Sequence, residues 1–209
     1  MNRRMLYLGY LGFAVGFASL GAAAWAMTTR AGYESAEYTV VEADGKIEIR
    51  EYPDLMLAAT RSKMDSQGRD GSFMRLFRYI SGANQEEQKI AMTTPVFMEG
   101  EVGRPDVSMG FVMPKAVAAA GVPAPTGDGV RIRRRQGGRF AVIRFPGQLD
   151  VKVAAQQEAK LRQWMSSRGL HGSTQAEAAG YDPPLTPGPL RRNEVLIRLN
   201  KGSNADAKS

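Results

Sequence analysis

The sequence predicts an α+β domain in which two β-β-α-β-β units pair as one antiparallel sheet or a partly closed barrel, with the helices outside. Three observations predict this class. Several short segments alternate between apolar and polar residues, two longer segments carry apolar residues at helical spacing, and both halves present these elements in the same order. We predict an anchor or signal segment over 1–27, a linker over 28–36, the domain over 37–200 and a disordered tail over 201–209.

The composition excludes several kinds of chemistry. The 209 residues include no cysteine, which excludes disulfides, thiolate metal sites, iron–sulfur clusters and cysteine nucleophiles. The chain has one histidine, His171, so no site can use two of its own imidazoles. A net charge of +7 suits an anionic partner. Few aromatic residues accompany the arginines between 131 and 144, however, and we therefore expect no nucleic-acid binding.

The first 27 residues are predicted to be a transmembrane anchor or a signal segment. Residues 6–27 carry no charge, and a helix of this length would cross a bilayer core of about 30 Å. Arg3 and Arg4 favour the cytoplasmic side, which places the domain outside the cytoplasm. Residues 24–26, Ala-Trp-Ala, also fit a signal cleavage pattern. An inner-membrane anchor and a cleaved signal that leaves a secreted or periplasmic domain both remain open.

The first half of the domain begins with a predicted hairpin. Residues 38–42 and 46–50 alternate between apolar and polar side chains, as strands with one buried face do. The pair Asp44-Gly45 between them is typical of a tight turn. Pro53 interrupts the pattern, and a further strand is predicted over 55–60.

An amphipathic helix follows, with Ser72 as its predicted N-cap and Gly82 at its end. Its apolar residues recur at the spacing of one helix face: Phe73, Leu76, Phe77 and Ile80.

Strands are then predicted over 90–98 and 107–113. Pro95 predicts a bulge or an edge position in the first of them, where Thr93 and Thr94 would bond to neighbouring backbone groups.

The second half repeats the order of elements. A connector rich in Ala, Gly and Pro covers 116–129, and strands are predicted over 130–135 and 139–145. A long helix over 150–168 has Asp150 as its predicted N-cap and is followed by a loop. A proline-rich segment over 181–189 leads to a final strand over 194–199. Residues 191–194 are expected to form a buried polar network with the other half.

Four motifs resemble the SOUL/haem-binding protein family, in the same order along the chain. The most specific is KIAMTTPV at 89–96, preceded by GSFMRLFRYISGAN at 71–84, and YDPPLTPGPLRRNEVLIRL at 181–199 is similar to the C-terminal pattern. IEIREYPDLMLAAT at 47–60 and VSMGFVMP at 107–114 also fit. The resemblance spans 38–200 and implies a distorted antiparallel β-barrel flanked by two helices, with non-covalent binding of haem or another tetrapyrrole.

One departure from the family pattern affects the expected ligand site. Some members use a histidine near the first helix as axial ligand, and this chain has none there. The resemblance therefore implies binding in an apolar cleft without a histidine, or with Met, Tyr or Lys as the donor.

A haem site needs an apolar cleft, cations for the propionates and, optionally, an axial donor. We expect Met92 as the first candidate donor and His171 as the second. The complete set of expected haem-binding residues is Phe73, Phe77, Met92, Met98, Met113, Lys63, Arg75 and Arg78.

Two further functions stay open at this point. The domain could be a scaffold that binds a peptide, a lipid or a protein partner, or an enzyme that acts on a small apolar ligand. Glu48, Glu51 and Glu194 lie near arginines, but no nucleophile elbow, paired-carboxylate spacing or metal cluster supports catalysis. We therefore expect a binding protein and no enzyme.

Overall fold

The computed structural model describes residues 32–62, 70–100, 107–183 and 186–200. Its helices are α1 (Ser72–Ile80), α2 (Lys115–Ala120) and α3 (Val151–Ser167), and a short 3-10 turn covers Gly188–Leu190. Its strands are β1 (Glu34–Ser35), β2 (Thr39–Asp44), β3 (Ile47–Tyr52), β4 (Leu55–Ser62), β5 (Thr93–Thr94), β6 (Val96–Glu99), β7 (Val107–Val112), β8 (Arg131–Arg135), β9 (Gly138–Phe145), β10 (Gly172–Gly180) and β11 (Asn193–Leu199).

The predicted anchor or signal segment over 1–27 and the tail over 201–209 lie outside these residues. Among the helices of the described ranges, none has the length and apolar character needed to cross a membrane.

Nine strands form one antiparallel sheet in the order β2-β3-β9-β11-β10-β6-β7-β4-β8, which confirms the α+β class. The edge strands β2 and β8 do not pair with each other, so the sheet is open in the described part of the chain and the predicted barrel closure is not found. The sheet nevertheless curls strongly. Arg135 on β8 contacts Glu177 at 2.6 Å, although β10 lies four strands away in the order.

The two repeats are β3-β4-α1-β6-β7 and β8-β9-α3-β10-β11, so the predicted β-β-α-β-β order is present. The third strand of the second repeat, however, is β10, in a segment predicted as a loop, and does not lie in the predicted extended segment over 181–189. Each repeat places its first strand in the other repeat's half of the sheet: β3 pairs with β9, and β8 pairs with β4. The strand order is consequently symmetric about the β10–β6 pair. Neither half of the sheet is complete without a strand from the other repeat.

Both faces of the curled sheet are buried. On β9, Phe140 and Val142 face the enclosed side, whereas Ala141 and Ile143 pack in the cluster beneath α3. A third cluster lies between α1 and the strands β4 and β7. The helices therefore cover the outer face. The inner face of the curled sheet is filled by its own side chains, many of them aromatic.

The start of α1 differs from the sequence prediction. Ser72 is not the N-cap, because Gly71 occupies that position with a positive φ of 78°. The Asp70 carboxylate accepts a hydrogen bond from the Ser72 backbone N–H at 2.9 Å. The Ser72 side chain is instead buried and contacts Ser62. In α3 the predicted cap is confirmed, since Asp150 accepts a hydrogen bond from Val153 N–H at 2.8 Å.

The predicted strand over 90–98 is shorter and interrupted. It begins at Thr93, and Pro95, joined to Thr94 by a cis peptide bond, separates β5 from β6. The Thr93 hydroxyl donates to the Val112 carbonyl at 2.6 Å, as expected for a threonine where the ladder breaks. β5 pairs with β1 in a small parallel sheet of its own. This arrangement brings residues 33–36 against the start of β6.

Candidate functional site

An apolar cleft of about 270 Å³ lies beside α1. Its walls come from three parts of the chain that are distant in sequence. α1 contributes Phe73 and Phe77, and the segment from Met92 to Val96 forms the opposite wall. Tyr33 and residues 180–183, at the end of β10, close the remaining sides.

The apolar spacing of α1 determines which residues reach the cleft. Leu76, Tyr79 and Ile80 face the core, and Phe73 and Phe77 flank that buried face one turn apart. Their rings are nearly parallel, with centroids 6.2 Å apart. Phe73 is held by an edge contact with a core ring at 5.2 Å, whereas Phe77 is 43% exposed. The cleft thus has one fixed ring and one ring open to a ligand.

Two of the predicted haem-binding methionines lie in the core and outside the cleft. Met98 is 2% exposed and Met113 is 3% exposed. Val96 and Met98 share one face of β6, but Met98 lies further along the strand and packs in the cluster beneath α3. Met113 follows β7 and packs beneath α1. Met92 is the predicted methionine that lines the cleft.

The predicted propionate partners do not line the cleft either. Arg75 lies on the other flank of α1, where it donates to the Thr60 hydroxyl at 3.1 Å and to the Arg61 carbonyl at 2.7 Å. Arg78 donates to the Met74 carbonyl at 3.3 Å and lines a separate depression beside Arg75. Each helical residue turns the direction by about 100°, which carries these side chains away from Phe73 and Phe77. Lys63 lies outside the described residues.

His171 is not brought near the cleft. It lies in the exposed turn between α3 and β10, and its backbone carbonyl accepts from Asn200 N–H at 2.9 Å. That turn is on the α3 side of the sheet, whereas the cleft is on the α1 side. The described residues also contain no group of three or more His, Asp or Glu side chains that could hold a metal.

A buried ion network lies behind the cleft. The ring of Tyr181 lines the cleft, and its hydroxyl donates to Glu194 at 2.8 Å. Glu194 is fully buried and also accepts from Arg50 at 2.7 and 3.0 Å and from Arg192 at 2.6 Å. These contacts join the two repeats, so Arg192 and Glu194 take part in a network of the kind expected for residues 191–194. Arg191 and Asn193 instead donate to the carbonyls of Thr186 and Gly147, both at 2.8 Å, in the second half of the chain.

Burial and the neighbouring positive charges shift the pKa of Glu194 in opposite directions. Burial alone would raise the pKa of Glu194, but the hydrogen bonds and positive charges of Arg50 and Arg192 outweigh it and lower that pKa. Burial and the neighbouring Glu194 raise the pKa of Tyr181 well above its usual value. Tyr181 is therefore neutral, and its oxygen is already occupied by Glu194. It offers the cleft a ring face and no anionic ligand.

The sequence motifs did not indicate Tyr33, Thr93, Thr94 or Asp182 as part of the cleft. Tyr33 belongs to the segment predicted as linker, and the pairing of β1 with β5 helps to bring it to the cleft. Phe73 and Phe77 were indicated by the helical spacing of α1, and Met92 by the family motif over 89–96.

A curled antiparallel sheet of two β-β-α-β-β repeats, with an apolar cleft beside the first helix, defines the class of α+β domain to which this chain belongs. The chain belongs to the family described as SOUL heme-binding protein, which matches residues 33–198.

Named relatives agree with this assignment. The chain is 30% identical to Heme-binding protein 1 of Xenopus tropicalis over 167 residues, which cover 76% of this chain and 87% of that protein. It is 29% identical to Heme-binding protein 1 of Xenopus laevis over 168 residues, with the same coverage.

Two solved structures share the fold at low sequence identity. The EcmrR–DNA complex has a TM-score of 0.56 at 11% identity, with 74% of this chain and 57% of that chain covered. A hydrolase from Listeria innocua has a TM-score of 0.54 at 13% identity, with 76% and 94% covered. These two similarities concern the fold alone.

Proposed function

We propose that this chain binds haem or a related tetrapyrrole, without a covalent bond, in the apolar cleft beside α1. The observation that carries the proposal is the half-exposed Phe77 ring beside the fixed Phe73 ring in a cleft of about 270 Å³. A flat apolar macrocycle can lie against such rings and remove them from water. The volume is just below the range of about 300–1,000 Å³ for ligand pockets, so part of the macrocycle would extend over exposed Met74.

Two side chains of the cleft are available as axial donors. The Met92 thioether and the Tyr33 hydroxyl make no hydrogen bond to any described residue. A thioether and a phenolate are both known types of haem ligand. We propose Met92 as the donor, since it lies on the wall opposite Phe73 and Phe77 and is less exposed than Tyr33.

Haem titration of the full chain in detergent tests the proposal through Phe77. Phe77→Ala removes the exposed ring, and we expect haem affinity to fall about tenfold, because roughly 1–2 kcal/mol of apolar contact is lost. Val41→Ala is the matched control, since Val41 is 46% exposed and lies on β2 beside α3. A Soret titration measures both affinities. Equal haem affinity of Phe77→Ala and the wild type would contradict haem binding in this cleft.

The axial donor is tested separately. Met92→Leu keeps the volume of the side chain and removes the sulfur, so we expect a shifted Soret maximum with nearly unchanged affinity. His171→Ala is expected to leave the spectrum unchanged, because His171 lies on the other side of the sheet. A shift in His171→Ala with none in Met92→Leu would contradict the assignment.

The same exposed apolar side chains favour a second candidate function. Met74 and Phe77 are each more than two-fifths exposed, and such a surface could bind an apolar peptide or a lipid chain. No spectral change at micromolar haem, together with a stable protein or lipid partner that is lost in Phe77→Ala, would favour this candidate. Anchoring by residues 6–27, with the domain outside the cytoplasm, stays a prediction that membrane fractionation and protease protection can test.

A further inference from the structure

We infer that this chain has a second binding site, for a ligand that carries phosphate groups, in a cavity lined by arginines at the end of β4. The cavity has a volume of about 400 Å³, within the usual range for small-ligand sites. Four arginines line it, and one acidic residue, Asp128, does so as well. The arginines are Arg61, Arg75, Arg131 and Arg133. This inference is independent of the tetrapyrrole proposal.

Among the described residues, the groups that hold Arg75 in place are all neutral. Its guanidinium donates to the Thr60 hydroxyl at 3.1 Å and to the carbonyls of Arg61 at 2.7 Å and Asp70 at 3.5 Å. Thr60 in turn donates to the Gly129 carbonyl at 2.6 Å, which fixes the loop on the other side of the cavity. These bonds orient a positive charge without neutralising it. A fixed guanidinium that lacks a carboxylate partner is well prepared to bind an anion.

Arg61 and Arg131 add two further charges. Both side chains are exposed, and neither forms a hydrogen bond or an ion pair with another described residue. They belong to the paired strands β4 and β8, where Ala59 lies opposite Arg131. Since alternate strand residues share a face, Arg61 and Arg131 project from the same face, which is the inner face, opposite to Thr60 and α1. The sheet thus places two cations, unpaired among the described residues, on one side of β4, while Arg75 reaches the same cavity from the α1 side.

The remaining charges reduce the excess of positive charge but do not remove it. Arg133 is paired with Glu99, and Asp128 makes no ion pair with the described residues. Three arginines without carboxylate partners in the described part of the chain therefore line the cavity together with one aspartate. Several guanidinium groups around one volume repel each other, and a ligand with more than one negative charge relieves that repulsion. Phosphate groups suit this arrangement, because guanidinium groups bind their oxygens in pairs.

This cavity is separate from the apolar cleft. No residue lines both, and Arg75 lies on the flank of α1 opposite Phe77. Changes at the arginines should therefore leave haem titration unaltered. The two proposals can consequently fail independently of each other.

The test measures binding of inorganic pyrophosphate to the full chain in detergent by calorimetry. The double variant Arg61→Gln/Arg131→Gln removes two charges that have no partner among the described residues, so the fold should persist, and we expect affinity to fall at least about tenfold. The control Lys152→Gln/Lys160→Gln removes the same charge from exposed positions of α3 and should bind like the wild type. Asp128→Asn removes the opposing charge and should bind several-fold more tightly.

A second arm separates a soluble source of phosphate from a lipid headgroup. Co-sedimentation with phosphatidylglycerol vesicles is compared between the wild type and the arginine variant, with phosphatidylcholine vesicles as the baseline for any other membrane contact. Loss of pyrophosphate binding in the arginine variant supports a soluble ligand, and loss of phosphatidylglycerol binding alone supports a headgroup. Absence of both kinds of binding, equal losses in the arginine and lysine variants, or no tightening in Asp128→Asn would each overturn the inference.

Discussion

Glu194 is the shared acceptor of the buried ion network in the interior of the domain. It is fully buried and accepts hydrogen bonds from Arg50, Arg192 and Tyr181. Arg50 is itself 1% exposed. Removal of one member of a buried ion pair leaves an uncompensated charge in the interior, which is far more unfavourable than loss of a surface pair.

We therefore expect Glu194→Gln to lower the free energy of unfolding by about 3–5 kcal/mol. The matched control is Glu51→Gln, which removes an exposed carboxylate paired with Arg139 at 3.0 Å and should change stability by about 1 kcal/mol or less. Urea unfolding followed by far-ultraviolet circular dichroism measures both. Similar effects of the two substitutions would show that the buried network is not a major source of stability.

The lowered pKa of Glu194 also predicts that the folded state becomes less stable in acid. In the unfolded chain this carboxyl titrates near its ordinary pKa of about 4.3. Its contribution to stability is thus complete above that pH and is lost as pH falls through the lower pKa of the folded state. The wild type should lose more unfolding free energy than Glu194→Gln between about pH 7 and pH 3. Urea unfolding at each pH measures the free energy of unfolding of both proteins. Equal losses on acidification would contradict a lowered pKa of Glu194 in the folded state.

Some residues of the cleft were predictable from the sequence, because the apolar spacing within one helix indicated them. Phe73 and Phe77 follow from the spacing of α1, and Met92 from the family motif next to it. Arg75 and Arg78 lie in the same helix, but a short motif does not show which flank of the helix a cleft occupies. Tyr33 is 40 residues from Phe73 in the sequence, and no local pattern links them.

At the scale of elements, the start of α3 tests whether a side-chain N-cap contributes to the stability of the domain. Asp150 accepts a hydrogen bond from Val153 N–H at 2.8 Å and satisfies one of the free donors of the first turn. Asp150→Ala should lower the free energy of unfolding by about 1 kcal/mol. Gln156→Ala, at an exposed position within the helix, should change it by no more than a few tenths. Thermal unfolding distinguishes the two, and equal effects would exclude a capping role.

Two elements were missed because their sequences carry weak local signals. β10 reads GSTQAEAAG, which lacks large β-branched or aromatic side chains, and it was predicted as a loop. Its position between β11 and β6 supplies hydrogen-bond partners on both sides, and these partners hold it as a strand. α2 reads KAVAAA and lies in the segment predicted as a connector. Alanine favours a helix, but six residues are too few to indicate one without tertiary contacts.

At the scale of the molecule, the exchange of first strands should make unfolding cooperative. β8 completes the half that contains β7, and β3 completes the half that contains β11. Native-state hydrogen exchange should therefore give amides of β7 and β11 the same free energy of opening, within about 0.5 kcal/mol. Protection of β11 that exceeds protection of β7 by about 2 kcal/mol would show that the halves open separately. Exposed amides of β2 are the control and should exchange much faster.

The sequence predicted the repeat but not the way in which its copies join. Alternating segments and helical spacing reveal the order of elements, because both are local properties. The pairing of β3 with β9 and of β8 with β4 depends on contacts across 72 to 96 residues, which no local pattern encodes. The open sheet edge follows from β2, whose six residues are all exposed and pair with β3 alone.

The symmetric strand order has a consequence for the origin of this fold. A polypeptide that contained one repeat alone would leave a gap where the first strand of the other repeat belongs. Two identical copies could fill each other's gaps around a two-fold axis, as in a domain-swapped homodimer. In its strand pairing, the present chain is equivalent to such a dimer with its two subunits joined in one polypeptide.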